Sequence, residues 1–216
     1  MINLKVCGMK YNNNILEIGQ ILPDYMGFIF YKASPRYVGE EFNVPAGLPN
    51  AVKRVGVFVK ESIDHMMALI EKHKLDYIQL HGHESVDIVK TLSTEGVRVI
   101  KVFSIDDQFD FTHVDAFKPY ASYFLFDTQT PQYGGSGRSF SWDKLGEYDQ
   151  EIPFFLSGGL SLANVAGIAS LKAMNLHAID VNSGFEVSPG VKDVFKVREL
   201  KALVDTWNTE TEHHSH

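Results

Sequence analysis

Eight short runs rich in β-branched and aromatic residues recur along the chain, each separated from the next by a longer, more polar stretch. They are NLKVC (3–7), YMGFIF (25–30), RVGVFV (54–59), YIQLH (77–81), VRVIKVF (97–103), SYFLFD (122–127), PFFLS (153–157) and HAIDV (177–181). Most are nearly continuous in apolar residues, which suits parallel strands covered on both faces. Helical signals lie between them. Ser62 stands as a cap before Ile63, Met66, Met67 and Ile70, an i, i+3, i+4, i+7 stripe. Ser161 precedes Leu162, Val165, Ala166 and Ala169 in the same way, and Leu200, Leu203, Val204 and Trp207 repeat the spacing near the end. Strand–helix alternation folds as a doubly wound open sheet or as a closed barrel. Eight units averaging about 27 residues, with no GxGxxG turn after the first run, favour the barrel. The expected architecture is α/β, a single (β/α)8 TIM barrel over residues 1–207, followed by a polar, disordered tail over 208–216.

Composition narrows the partners. A hydrophobic fraction of 44% supplies a core, and 20 basic against 27 acidic residues give a net charge of −7. That balance speaks against a nucleic-acid partner, which shows itself as a basic stripe. It leaves room for a small anion held by a few backbone amides. A single cysteine excludes an intrachain disulfide and fits a reducing compartment. The opening MINLKVCGMK does not read as a signal peptide, and no apolar run reaches the length a membrane helix needs. The expectation is a cytoplasmic enzyme with no membrane association.

In such a barrel the chemistry sits where the strands end. The first run ends in Cys7-Gly8, the fourth in His81-Gly82, the sixth in Asp127-Thr128, and the seventh in Ser157-Gly158-Gly159. The eighth runs into Asn182-Ser183-Gly184, and Gly134-Gly135-Ser136-Gly137 follows the sixth. One glycine pair is an ordinary tight turn. Three neighbouring glycine-bearing loops point to a phosphate, because glycine lets backbone N–H groups approach an oxyanion. Cys7 reads either as a small buried hydrophobe or as a thiolate base at the rim. Asp127 is either a loop cap or, if kept protonated, the matching acid. Arg36, in Ser34-Pro35-Arg36-Tyr37, is a solvated loop residue or a fork for a substrate carboxylate. His81, His83 and Glu84 resemble a loose metal cluster, but no second ligand pair accompanies them, and no metal is expected.

Together these residues resemble the phosphoribosylanthranilate isomerase family of tryptophan biosynthesis. The resemblance runs through KVCG (5–8), MGFIFYKASPRYV (26–38), RVGVFV (54–59), IQLHG (78–82), LFDTQTPQYGGSGRSFSW (125–142), FFLSGGL (154–160) and DVNSGFEVSPGVKD (180–193). It implies a monomeric or homodimeric barrel without a metal or organic cofactor. The implied reaction is an Amadori rearrangement of N-(5-phosphoribosyl)anthranilate, with Asp127 as general acid and Cys7 as general base. By the same resemblance Arg36 addresses the anthranilate side. Gly135, Ser136, Gly137, Gly158, Gly159, Ser183 and Gly184 hold the phosphate, and His81 and Asp180 line the mouth. The chain departs from the family pattern at Met9-Lys10, often Ile-Thr, and at Asn182, usually serine. A metal-dependent sugar-phosphate epimerase, a non-catalytic phosphometabolite-binding barrel and a redox sensor acting through Cys7 are the alternatives.

Overall fold

The computed structural model describes residues 1–128 and 142–213, with side chains as far as residue 210. Eight parallel strands close on themselves in chain order. They are β1 (Asn3–Val6), β2 (Tyr25–Ile29), β3 (Lys53–Phe58), β4 (Tyr77–Leu80), β5 (Val99–Ile105), β6 (Tyr123–Thr128), β7 (Phe154–Ser157) and β8 (Leu176–Val181). β8 returns to pair with β1 in parallel, with Lys5 opposite Asp180 and Val6 opposite Val181, so the sheet has no edge. All eight sequence runs are strands of this barrel.

The outer layer is less regular than the alternation suggests. Among the described residues there are four α-helices: α1 (Asn12–Gly19), α2 (Ile63–His73), α3 (Val86–Thr94) and α4 (Val194–His213). Ser62 does cap α2, its side chain accepting from the His65 amide at 3.3 Å. The helix expected after β7 with Ser161 as cap is instead a 3₁₀ segment, Val165–Leu171. Its buried residues are Val165, Ile168 and Leu171, a spacing of three that matches three residues per turn, while Ala166 and Ala169 are exposed. Gly167 inside it packs against the Trp142 ring and lowers the α propensity of the stretch. The connections after β5 and β6 are likewise 3₁₀, over Phe111–Phe117 and Trp142–Glu147. The boundary expected at Trp207 also shifts, because α4 runs on to His213. Asn208, placed in the tail by sequence, donates to the Ile2 carbonyl at 2.9 Å and accepts from the Ile2 amide at 2.7 Å. That pair of bonds ties α4 to the start of β1.

Apolar residues form two shells. The larger lies between sheet and helices and includes Leu4, Val6, Phe28, Phe124, Phe126, Leu200 and Val204. The smaller fills the barrel interior with Tyr25, Val55, Tyr77, Ile100, Val102, Leu125, Phe155 and Ala178. Burying each such side chain stabilises by roughly 1.5–3 kcal/mol. At the amino-terminal end Tyr25, Tyr77, Tyr123, Phe155 and His177 pack ring against ring, and the Tyr25 hydroxyl meets His177 Nε2 at 2.8 Å. This aromatic floor stops the interior from being a pore.

Candidate active site

Period-two alternation decides which residues look inward. On β1 these are Lys5 and, just past its end, Cys7. On β4 they are Tyr77, Gln79 and His81, on β6 Tyr123, Leu125 and Asp127, and on β8 Ala178, Asp180 and Asn182. Above the apolar floor the inward layer turns polar. A cavity of about 210 Å³ opens at the carboxyl ends of the strands, lined by Cys7, Gln79, His81, Asp127, Ser157 and Asp180. Gly158, Gly159, Ser183 and Gly184 form its wall on the β7–β8 side. The structure therefore brings Cys7, His81, Asp127, Asp180 and four of the seven proposed phosphate-loop residues into one cavity. Gly135, Ser136 and Gly137 lie outside the described residues. Arg36 does not line this cavity but sits beside it, its side chain against Gly8.

A polar chain runs across the barrel from Asp127 to Lys5, two residues before Cys7. Lys5, fully buried, donates to Asp180 Oδ2 at 2.8 Å and to Gln79 Oε1 at 2.7 Å. An ammonium only donates, so Gln79 must turn its oxygen toward Lys5 and its Nε2 toward His81 Nδ1, 3.3 Å away. His81 Nδ1 is then the acceptor, which puts the imidazole proton on Nε2, 3.5 Å from Asp127 Oδ2. Asp180 Oδ1 is buried and has no hydrogen-bond partner among the described residues. Burial pushes the Asp180 carboxyl up, partly offset by Lys5. Burial likewise pushes the Cys7 thiol up, and Lys5 pulls against it. Gly27 on β2 makes room for that thiol, since a Cβ there would lie 2.6 Å from Cys7 Sγ.

A second network flanks Cys7. Arg36 grips Glu186 with both arms of its fork, Nε to Oε1 at 2.8 Å and Nη2 to Oε2 at 2.6 Å. Lys192, also buried, shares Glu186 Oε1 and donates to Asn182 Oδ1 at 2.8 Å. Burial raises the Glu186 carboxyl but the bonds from Arg36 and Lys192 win, leaving it below its usual range. Asn182, where the family pattern has serine, is thus the acceptor for a buried lysine.

The loop after β7 passes very close to the end of β6. Gly158 has φ +107°, and a Cβ on it would lie 1.8 Å from the Thr128 carbonyl oxygen. Gly158→Ala is expected to destabilise by about 2–6 kcal/mol, combining backbone strain with overpacking. A thermal melt reads it directly; an unchanged Tm would contradict the close approach.

Of His81, His83 and Glu84, which resemble a loose metal cluster in sequence, His81 faces the cavity while Glu84 turns to an ion pair. Glu84 is buried in an ion pair with Lys101 at 3.0 Å and accepts from the amides of Gly82 and Lys60. Among the described residues no group of three or more histidine, cysteine or acidic side chains is placed to hold a metal. Lys5, Gln79, Glu186 and Lys192 were not singled out by sequence reasoning. Lys5 and Gln79 carried a usable signal: each is a polar interruption of an apolar strand, two residues before a rim residue and so on its face. Glu186 and Lys192 come from an antiparallel pair of short strands after β8, β9 (Glu186–Ser188) and β10 (Val191–Lys192), which has no periodic signature.

A closed eight-stranded barrel with a thiol and a carboxyl facing one cavity at its carboxyl rim defines a (β/α)8 barrel with a polar pocket at the strand ends. The model of the N-(5'-phosphoribosyl)anthranilate (PRA) isomerase family matches residues 4–202, and the chain belongs to that family. Its relatives include the N-(5'-phosphoribosyl)anthranilate isomerase of Parabacteroides distasonis, 41% identical over 91% of this chain and 90% of the relative. That of Phocaeicola vulgatus is 42% identical over 88% of this chain and 91% of its own. Among solved structures, phosphoribosyl anthranilate isomerase from Thermotoga maritima superposes with a TM-score of 0.78 at 32% identity, covering 92% of this chain and 96% of that one. Another phosphoribosyl anthranilate isomerase, solved in complex with reduced 1-(o-carboxyphenylamino)-1-deoxyribulose 5-phosphate, gives 0.76 at 27% identity over 93% and 97%.

Proposed function

We propose that the chain catalyses the Amadori rearrangement of N-(5-phosphoribosyl)anthranilate to 1-(2-carboxyphenylamino)-1-deoxyribulose 5-phosphate, a step of tryptophan biosynthesis, with Asp127 as acid and Cys7 as base. The observation that carries this reading is the placement of Cys7 on β1 and Asp127 on β6 around one cavity whose wall is the glycine-bearing β7–β8 side. The reaction moves protons and opens a ring, with no net change in oxidation state, so side-chain acid–base chemistry suffices. Asp127 protonates the furanose ring oxygen and the C1′–O bond breaks, giving the Schiff base. Cys7 removes the C2′ proton to give the enolamine, which tautomerises to the ketone. The phosphate is held by Gly158, Gly159, Ser183 and Gly184 together with Gly135, Ser136 and Gly137. Asp180 Oδ1, buried without a partner among the described residues, is the acceptor for a sugar hydroxyl. His81, with its proton on Nε2, steadies Asp127. Arg36 takes the anthranilate carboxylate through Nη1, which lies outside its pair with Glu186.

The crystal structure of a relative bearing the reduced product supports this substrate class. The test is a continuous fluorescence assay, in which freshly made phosphoribosylanthranilate loses its anthranilate emission as product forms. Enzyme-dependent loss that persists with a chelator present is expected. Loss abolished by the chelator would point to the metal-dependent epimerase class; a folded, phosphate-binding protein that produces no loss would leave a binding barrel.

A further inference from the structure

We propose that Lys5 is a positioning residue for the reaction: its buried ammonium, held by Asp180 and Gln79 beneath Cys7, is the countercharge that lets Cys7 exist as a thiolate. This rests on Cys7 being the base. Lys5 on β1 and Cys7 just past its end are two residues apart and face the same interior, with the ammonium fully enclosed and the thiol 4% exposed at the cavity wall. A thiolate at that depth has lost most of its water, so it persists only beside a fixed positive charge.

Among the described residues, the other charges around Cys7 are accounted for. Asp180 on β8 opposes the thiolate, while Lys192 on β10 and Arg36 after β2 favour it. His81 on β4 and Asp127 on β6 line the same cavity. Lys192 and Arg36 both spend their charge on Glu186. Lys5, whose hydrogen bonds go to Asp180 and Gln79, is the buried cation on the Cys7 side of the interior, and its charge pulls the thiol toward ionisation. Asp180 then has two consequences of opposite kind: it holds the ammonium in place, and its own charge restrains how readily the thiol ionises.

That opposition supplies the test. The chain contains one cysteine, so alkylation by iodoacetamide followed against pH reports Cys7 alone. In Lys5→Gln the midpoint of the alkylation profile is expected to rise by at least about one pH unit, a tenfold or greater slowing below both midpoints. In Asp180→Asn it is expected to fall. An unmoved midpoint in Lys5→Gln, or a shift of the same sign in both variants, overturns the proposal, because simple loosening of the site would move both alike. If Lys5→Gln does not fold, Lys5→Gln/Asp180→Asn leaves no lone buried charge, and its midpoint must lie above that of Asp180→Asn; equality overturns the proposal. Alkylation reads the thiolate without turnover, so failure here is distinct from failure of the base assignment, which would appear as isomerisation surviving in Cys7→Ala.

Discussion

Cys7→Ala and Asp127→Asn are each expected to lower kcat by about 10²–10⁴-fold, the range for loss of a general acid or base. Neither change should unfold the protein. The Cys7 side chain is small and sits at the cavity wall, so its removal leaves the apolar shells intact, and Asp127→Asn keeps a similar shape beside His81. On the proposed function the phosphate sits on the β7–β8 side of the cavity, away from both changes, so KM should change far less than kcat. The two residues serve successive steps, ring opening and C2′ deprotonation, so the double variant should be limited by the slower of them and be little worse than the poorer single one. Steady-state kinetics with the fluorescence assay, beside far-UV circular dichroism and a melt, decide the matter. A turnover number within a few-fold of the parent in either variant would remove that residue from its role.

The barrel was legible because its strands are short, apolar and separated by turn-forming residues, a pattern that survives without knowledge of tertiary contacts. The outer layer was less so. Val165, Ile168 and Leu171 satisfy a 3₁₀ spacing, yet Val165 and Ala169 also satisfy an α one, and the sequence spacing does not separate the two. Site residues at strand ends, such as Cys7 and Asp127, could be located from topology alone, since the rim is where a closed barrel exposes its interior. The layer beneath could be suspected from Lys5 and Gln79 but not connected, because their partners are roughly 75 and 175 residues away in the chain and meet only when β8 closes on β1. Arg36 shows the converse limit. Its fork matches a carboxylate, as sequence suggested, but Glu186 occupies that fork, and nothing in the local sequence announces it.

Glu84→Ala is expected to be the most destabilising single change outside the cavity. The carboxylate joins two strand exits to a third strand: it accepts from Lys60 after β3 at 3.0 Å, from Gly82 after β4 at 3.0 Å, and pairs with Lys101 of β5. Lys101 is itself buried and donates to the Gly82 carbonyl at 2.7 Å, so losing Glu84 leaves an uncompensated ammonium in the rim. Breaking a buried pair from one side costs about 3–5 kcal/mol, which in a domain of this size lowers Tm by roughly 6–20 °C. Glu84→Gln/Lys101→Met, which removes both charges, should recover much of that loss. The effect should depend on pH in one direction. Burial works to raise the Glu84 carboxyl, but the bonds from Lys60 and Lys101 more than offset it, so its folded pKa lies below the unfolded one. Its stabilisation is therefore fully present above the unfolded carboxylate value of about 4.3 and fades as pH falls through the folded value. Urea titrations of parent and Glu84→Ala should thus differ most near neutrality and converge in acid. A gap that stayed constant down to strongly acidic pH would mean that Glu84 stabilises by packing, not by charge.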